Sequence, residues 1–331
     1  MQLQELDPGA LDAPTVEGLV ALHNAGRRVD APHLPPLTVT GFRRMLRHGW
    51  DGQGPDRIWA AINDGQIVGE AEFWLPRWDN RHLAILEPIT APSHRDQGVG
   101  SALLDALLTA AEEAGRTLVV ADVWAGSAAE AFAVNRGFSI ASTDVQRRLD
   151  VSSLDRARVA ELHAEALEAA GRYDLVPVVG AAPDAMVESL VDLFAAINDA
   201  PLDDLQIEDE VFSAERLRAF DVAQNAMGRR MYRLLAQHRE SGEWAGHTIV
   251  TVDEDLPEWG SQGDTSVVRA HRGHRLGMLL KTAMLEWLRE VEPQVERIDT
   301  WNASSNQHMV AVNDALGCFV VGQGSVMQRQ L

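Results

Sequence analysis

The sequence predicts an α/β protein of two like domains, each a mixed, mostly antiparallel sheet flanked by helices. Three observations carry that expectation. The first is a repeat: His94-Arg95 recurs as His271-Arg272, Gly100 as Gly277, Leu103 as Leu280, Asp122 as Asp299 and Trp124 as Trp301, all 177 positions apart. An acid precedes both blocks in the same register, Glu87 in one and Asp264 in the other. A period that long excludes a solenoid and points to duplication of a whole domain. The second is length: 331 residues fit two domains of about 150 better than one. The third is a shared order of apolar patterns, strand, loop, helix, strand, helix.

In the first copy, 57–63 and 67–75 read as strands joined by Asp64-Gly65, a strong hairpin signal. A third apolar run covers 83–90 and ends at Pro92 and a glycine-bearing loop. The helix after it buries Val99, Leu103, Ala106, Leu107 and Ala110, the spacing of one helical face. A strand at 117–124, a short helix at 128–135 stopped by Gly137 and a hairpin-like pair around 139–149 complete it. The second copy repeats the order: strands near 230–237, 244–252 and 264–269, the loop 272–277, and a helix burying Leu276, Leu280, Ala283, Met284 and Trp287. A strand at 296–301, a helix from Asn306 to about 315, and short strands at 318–321 and 326–330 close it. Between the copies, 154–170 reads as an amphipathic connecting helix, 173–179 as a strand, 183–197 as a helix and 203–210 as an acidic loop. The expected domains are therefore 1–150 and 172–331, with 151–171 as connector.

Composition excludes several function classes. The chain carries a net charge of −20, spread over both halves, so nucleic acid is not an expected partner; a cationic small molecule is favoured. No window approaches the roughly 18 apolar residues of a membrane span, and the start has no signal-peptide pattern. One cysteine, Cys318, allows no internal disulfide and no zinc cluster, which suits a cytoplasmic protein without metal. The acidity also keeps such a chain soluble as a monomer or homodimer. Lys281 is the only lysine.

The loop Arg95-Asp96-Gln97-Gly98-Val99-Gly100 between strand and helix is the chemistry-bearing feature. Glycines permit a tight turn, and free N–H groups at the helix start, through Ser101, point at an anion. No Gly-Lys-Ser/Thr follows, so it is not a Walker loop, and it lacks the dinucleotide spacing. It matches Arg/Gln-x-x-Gly-x-Gly/Ala, and with the surrounding element order it resembles the pyrophosphate loop of the GNAT superfamily of acetyl-CoA-dependent N-acetyltransferases. The resemblance covers about 55–149 and 229–331, a tandem arrangement similar to that of mycothiol synthase and of actinobacterial acetyltransferases. The second loop, Arg272-Gly273-His274-Arg275-Leu276-Gly277, departs by placing Arg275 where the middle glycine belongs.

The resemblance implies acetyl-CoA as co-substrate and a primary amine, here a small cationic one, as acceptor. Thr90 and residues 95–101 would hold the cofactor in the first half; Thr265, Val267 and residues 272–277, with Asn302 and Asn306, would hold it in the second. Glu87 and Asp264, eight residues before the loop arginines, are the candidate bases that free the amine of its proton. Backbone N–H groups at a bulge in that strand would polarise the thioester carbonyl. Asp122 and Asp299 are expected to be structural; Trp124 and Trp301 are expected in the core or along the pantetheine wall. Members of the family often carry a tyrosine seven residues after the asparagine that matches Asn306. Asn313 stands in that place, and Gly126 and Ala133 hold the matching places of the first copy. The second half, keeping its asparagines and a longer approach region, is the expected catalytic one. Alternatives are a non-catalytic acetyl-CoA-binding or ligand-sensing protein, and a protein or peptide N-acetyltransferase.

Overall fold

In a computed structural model describing all 331 residues, the elements in chain order begin with β1 (Gln2–Leu6), α1 (Ala13–Asp30), α2 (Val39–His48), β2 (Arg57–Asn63), β3 (Gln66–Trp74) and β4 (Leu83–Thr90). Then come α3 (Val99–Glu113), β5 (Leu118–Trp124), α4 (Ala128–Asn135), β6 (Ser139–Asp150), α5 (Arg156–Ala169), β7 (Tyr173–Val179) and α6 (Asp184–Ala195). The chain continues through α7 (Ala214–Ala226), β8 (Arg229–His238), β9 (Trp244–Asp253), β10 (Leu256–Val267), α8 (Leu276–Val291), β11 (Arg297–Ala303), α9 (Gln307–Ala315) and β12 (Phe319–Gln330). The repeat is thus real in three dimensions, α1 to β6 corresponding to α6 to β12. No helix is long and apolar enough to cross a membrane.

The chain divides into two units. The first comprises Met1–Asp144, Leu202–Asp209 and Gly322–Leu331. Its strands run in the order β1-β2-β3-β4-β5-β12, the last contributed by the C-terminus, whose Gly324–Gln330 pairs antiparallel with Leu118–Trp124. Only β4 and β5 are parallel, and they pair over three residues, from Leu83/Leu118 to Ile85/Val120. Beyond Ile85 and Val120 both strands continue unpaired to each other, so the sheet splays open. Helix α3 packs on one face over Phe73, Ala84, Leu86 and Val119. It lies close because residue 69 is glycine: a Cβ there would come within 2.8 Å of Val99 and Leu103. Helices α1 and α2 cover the other face through Val16, Leu19, Phe42 and Leu46. The acidic loop 202–209 is irregular, as expected, and is held by Leu205 and Ile207 against Leu83 and Leu118 and by Glu208 N–H donating to Asn80 Oδ1 at 2.7 Å.

The second unit comprises Val145–Pro201 and Glu210–Val321, with strand order β11-β10-β9-β8-β7. Again one pair is parallel, β10 with β11 from Trp259/Arg297 to Ser261/Asp299, and again the strands run on unpaired past it. Helices α5 and α8 share one core with Tyr232, Val250 and Ile298; α6 and α7 bury Leu190, Phe194 and Leu217 against Met231, Leu235 and Ile249. The hairpin expected around 139–149 is instead one continuous strand, because no Gly, Pro or Asn supplies a turn there. The two closing strands are likewise one, β12: Gly322 and Gly324 take no left-handed φ, so neither makes a turn.

Candidate active sites

Each splay has a glycine-bearing loop and a helix N-terminus beside it. In the first loop, left-handed residues are Asp96 (φ 59°) and Gly98 (φ 85°); in the second they are Gly273 (φ 83°) and Arg275 (φ 55°). The two loops therefore share one backbone shape, left-handed at the second and fourth positions, with glycine and non-glycine exchanged. Arg275 adopts the conformation that the family pattern assigns to glycine, at a cost of about 1 kcal/mol. Its side chain turns away to Glu165 on α5, 2.8 Å distant. The loop arginines are both anchored by an aspartate of their own unit: Arg95 by Asp30 at the end of α1 (3.0 Å), Arg272 by Asp199 (2.5 Å) and by the Val267 carbonyl.

Six of the nine helices begin with a side-chain cap, from Asp12, Thr38, Ser127, Asp155, Ser213 or Asn306. Helices α3 and α8 have none. The first N–H accepted within α3 is that of Ala102, by Gly98, and the first in α8 is that of Leu279, by Arg275. The N–H groups of Val99, Gly100 and Ser101, and of Leu276, Gly277 and Met278, are left to an external acceptor. A Cβ at Gly98, Gly273 or Gly277 would meet nothing within 4 Å, so these loop glycines face open space, while one at Gly100 would meet Thr90 Oγ1 at 3.4 Å. This is the arrangement that receives a phosphate, and both loops fit a pyrophosphate. His94 bonds Ser93 Oγ (3.0 Å) and His271 bonds the Tyr173 hydroxyl (3.1 Å), both outside the donor rows.

The strands that flank the splays differ. Ala91 N–H donates back to Val68 and Val268 N–H to Ala245; because backbone groups alternate along a strand, residues 90, 88 and 86 direct theirs into the first splay, and 267 and 265 into the second. Residue 88 is proline and has no N–H, whereas Thr265 has one. The expected bulge exists only in β10, where Gly263 and Asp264 together oppose Ile249; β4 pairs with β3 without a shift from Trp74/Ile85 to Gly69/Thr90. Thr265 Oγ1 bonds Thr248 Oγ1 at 2.7 Å.

The side chains on the α1 face of β4 and β5 give the first unit its charge. Glu87 and Asp122 each lie two residues beyond the last β4–β5 pair, on the same face, and so flank the splay. Both reach solvent, yet Glu87 is hemmed in by protein. That desolvation first, then the negative charges of Asp122 and Glu70 against an opposing pull from His23, push its carboxyl up to about 7. Asp122 is also raised, by desolvation and then by Asp144. Behind Glu87 sit Glu72, its register partner on β3, and Glu70, both buried.

The counterpart face of the second unit is different in kind. The partner of Glu70 there is His247, fully enclosed, bonded to Ser266 Oγ at 2.8 Å, with burial and the nearby Arg233 driving it down to about 3. The partner of Glu72 is Ile249, in the apolar core. Asp264 has no hydrogen-bond or ion-pair partner; desolvation raises it. Asp299 proves structural, as expected: it accepts from Arg148 (2.7 Å), Gln146 (3.0 Å) and Trp259 (3.1 Å). It is not the spatial equivalent of Asp122, however. Asp299 lies within the last β10–β11 pair, two residues short of the place Asp122 holds, and that place belongs to Trp301. The constant offset in sequence conceals a two-residue slip in space, which keeps the face and changes the depth. Trp301 is 45% exposed, so it is no core residue; Trp124 meets His33 edge-on at 5.1 Å.

Asn306 caps α9, its side chain accepting from Met309 N–H at 3.3 Å. Asn302 Oδ1 accepts from Asn313 Nδ2 (2.7 Å), and Asn313 Oδ1 accepts from Lys281 Nζ (2.7 Å). Asn302 and Asn306 therefore have internal duties, and Asn313, in the position of the family tyrosine, holds a buried ammonium. The carboxylates Glu70 and Glu72 were not marked by any motif; their i, i+2 spacing on a strand is the signal that could have found them.

The comparisons with known proteins agree with this architecture. The model of the Acetyltransferase (GNAT) family matches residues 27–138. A tandem GNAT protein from the clavulanic acid biosynthesis pathway, solved without AcCoA, superposes with a TM-score of 0.79 at 26% identity, over 99% of this chain and 98% of that one. A GCN5-related N-acetyltransferase from Sphaerobacter thermophilus gives a TM-score of 0.67 at 14% identity, over 99% and 95%. One from Kribbella flavida gives 0.53 at 12%, over 100% and 71%. No curated protein sequence matches the chain. Two splayed sheets, two uncapped helix starts behind glycine loops, a match to the Acetyltransferase (GNAT) family over residues 27–138 and the fold of a tandem GNAT protein together support an acyltransferase.

Proposed function

We propose that the first unit transfers an acetyl group from acetyl-CoA to the primary amine of a small cationic molecule, with Glu87 as the base. The observation that carries this reading is the carboxyl face beside the first splay. There Glu87, with an affinity for protons near neutrality, has Asp122, Glu70 and Glu72 around it, while the second unit has His247, Ile249 and an apolar core. A cationic acceptor is drawn more strongly to the first face than to the second, where Asp264 is the lone carboxyl. This favours the first unit over the second, which the retained asparagines had recommended; those asparagines serve α9 and Lys281.

In this mechanism the N–H groups of 99–101 and the loop 95–98 hold the pyrophosphate, and Thr90 lies along the cofactor's path. Glu87, ionised, takes a proton from the acceptor ammonium directly or through one water. The freed nitrogen attacks the thioester carbonyl, the C–S bond breaks, and the proton that the nitrogen sheds as the amide forms passes through water to the thiolate, since Ala133 stands where a tyrosine would donate one. Thiols are acidic enough for that exchange. The second unit, with the N–H of Thr265 and the donors of 276–278, binds acetyl-CoA without turnover.

The test is CoA release by the full chain with a panel of amines. Glu87→Gln is expected to lower kcat/KM more than tenfold while acetyl-CoA affinity holds, and Asp264→Asn to leave turnover within about twofold. The opposite pattern would move the reaction to the second unit. A second reading, an acetyl-CoA-binding sensor, is favoured by Pro88 and the missing tyrosines; binding without turnover across the panel would select it.

A further inference from the structure

Glu70 and Glu72 pose a problem that the proposed reaction does not solve. Their side chains point from β3 toward α1, and they are 0% and 1% exposed. One oxygen of Glu70 is held by His23 Nε2 from α1, and one of Glu72 accepts from Trp74 Nε1 at 3.1 Å. The other oxygens, Glu70 Oε1 and Glu72 Oε1, are buried with no hydrogen-bond donor. Elsewhere this chain gives its buried acids an arginine: Asp221 has Arg233, Glu292 has Arg230 and Asp299 has Arg148. No arginine or lysine pairs with Glu70 or Glu72. Two enclosed carboxyl groups with unused lone pairs must either hold protons or be met by a cation.

The geometry identifies the partner's size. Ligand atoms of His23, Glu70 and Glu72 all lie within 4.8 Å of one another, too tight for an organic cation and suited to a bare ion. We infer that His23, Glu70 and Glu72 form a binding site for a divalent first-row transition ion, Zn²⁺ or Mn²⁺, inside the first unit. Two carboxylate oxygens and one imidazole nitrogen are the donors such ions accept, whereas Mg²⁺ and Ca²⁺ prefer oxygen alone. Bonds of about 2.1 Å in a tetrahedral site place ligand atoms about 3.4 Å apart, so the three side chains close on the ion by small torsions. His23, 22% exposed, is the member of the trio that reaches solvent and provides the entry. Its ring is braced on Phe42 at 5.0 Å, which fixes the direction of Nε2. The second copy differs: His247 and Ile249 hold the positions of Glu70 and Glu72, His247 Nε2 bonds Ser266 Oγ and its ring meets Phe194 at a tilt, centroids 4.5 Å apart, and although its Nδ1 is buried without a partner, no carboxylate oxygen is left over. Sequence spacing could not flag the site, since His23 and Glu70 are 47 residues apart.

The inference stands without the acetyl-transfer reading but touches it: an ion here offsets the charge of Glu70 behind Glu87 and leaves Asp122 as the carboxylate that flanks the splay with it. Full-length protein is stripped with a chelator, then titrated calorimetrically with Zn²⁺ and with Mn²⁺ while Tm is followed. One ion per chain is expected, with Tm rising until one equivalent is bound. Glu72→Gln and His23→Gln are each expected to weaken binding at least tenfold, with their metal-free Tm at or above that of the stripped wild type for Glu72→Gln. Glu70→Gln/Glu72→Gln together should abolish binding while the far-ultraviolet spectrum is kept. Absence of binding, more than one ion per chain with no change in the variants, or ethylenediamine binding at this site in place of metal would each overturn the proposal.

Discussion

Lys281 allows the chain to be tested against its own first copy. Its ammonium is 5% exposed in the core of α8 and donates to Asn313, with Cys318 close by. Burial lowers it from 10.5 to about 8. A fall of that size corresponds to about 3 kcal/mol of penalty on the charged form. The first copy avoids it with Leu104, Ala133 and Phe138 at the corresponding places, all in the core of α3. The double variant Lys281→Leu/Asn313→Ala removes the ammonium and its acceptor together, so no orphan remains. At pH 7 it is expected to be more stable than wild type by about 1–3 kcal/mol.

The sign of the pH dependence follows from proton counting. Between about 8 and 10.5 the unfolded chain still holds the Lys281 proton and the folded chain does not, so wild-type stability gains with rising pH in that window. No other lysine exists to obscure it. Tyr232, pushed up to about 12, and the raised Cys318 and Tyr173 work in the opposite direction above about 9, but the tyrosines are common to both proteins. The measurement is urea unfolding by tryptophan fluorescence at pH 7, 8, 9 and 10. The stability advantage of the variant should shrink by about 3 kcal/mol across the window; a difference that stays flat would refute the reasoning.

Three further outcomes are expected. Asp299→Asn should cost about 3 kcal/mol, because it removes the carboxylate charge facing Arg148 in a nearly closed site, whereas Asp122→Asn should cost nothing measurable in urea midpoint. Wild-type kcat/KM should rise through pH 7 to a plateau as Glu87 loses its proton, and Glu87→Gln should show no such rise. Gly98→Val forces a β-branched residue to φ 85° and should lower acetyl-CoA affinity of the first unit at least tenfold, while Arg275→Gly relieves a left-handed arginine and should raise Tm slightly.

Sequence alone determined the duplication, the two glycine loops and the helices behind them, because these depend on local chemistry: turn residues, an apolar face every third or fourth position, a free helix start. The matching pairs His94/His271 and Gly100/Gly277 needed no folded structure to be seen. What only the tertiary structure decided were relations between strands. A single inserted residue in β10 makes a bulge that β4 lacks, and a two-residue slip of β11 sends Asp299 into a hydrogen-bonded lock while Asp122 stays open beside Glu87. Asn302 and Asn306, marked for the cofactor, became a lysine's support and a helix cap for the same reason: their partners, Lys281 and the α9 backbone, are fixed by packing. The meeting of His23 with Glu70 and Glu72 is the extreme case. A helix crossing a strand at one depth creates it, and no local pattern records that depth.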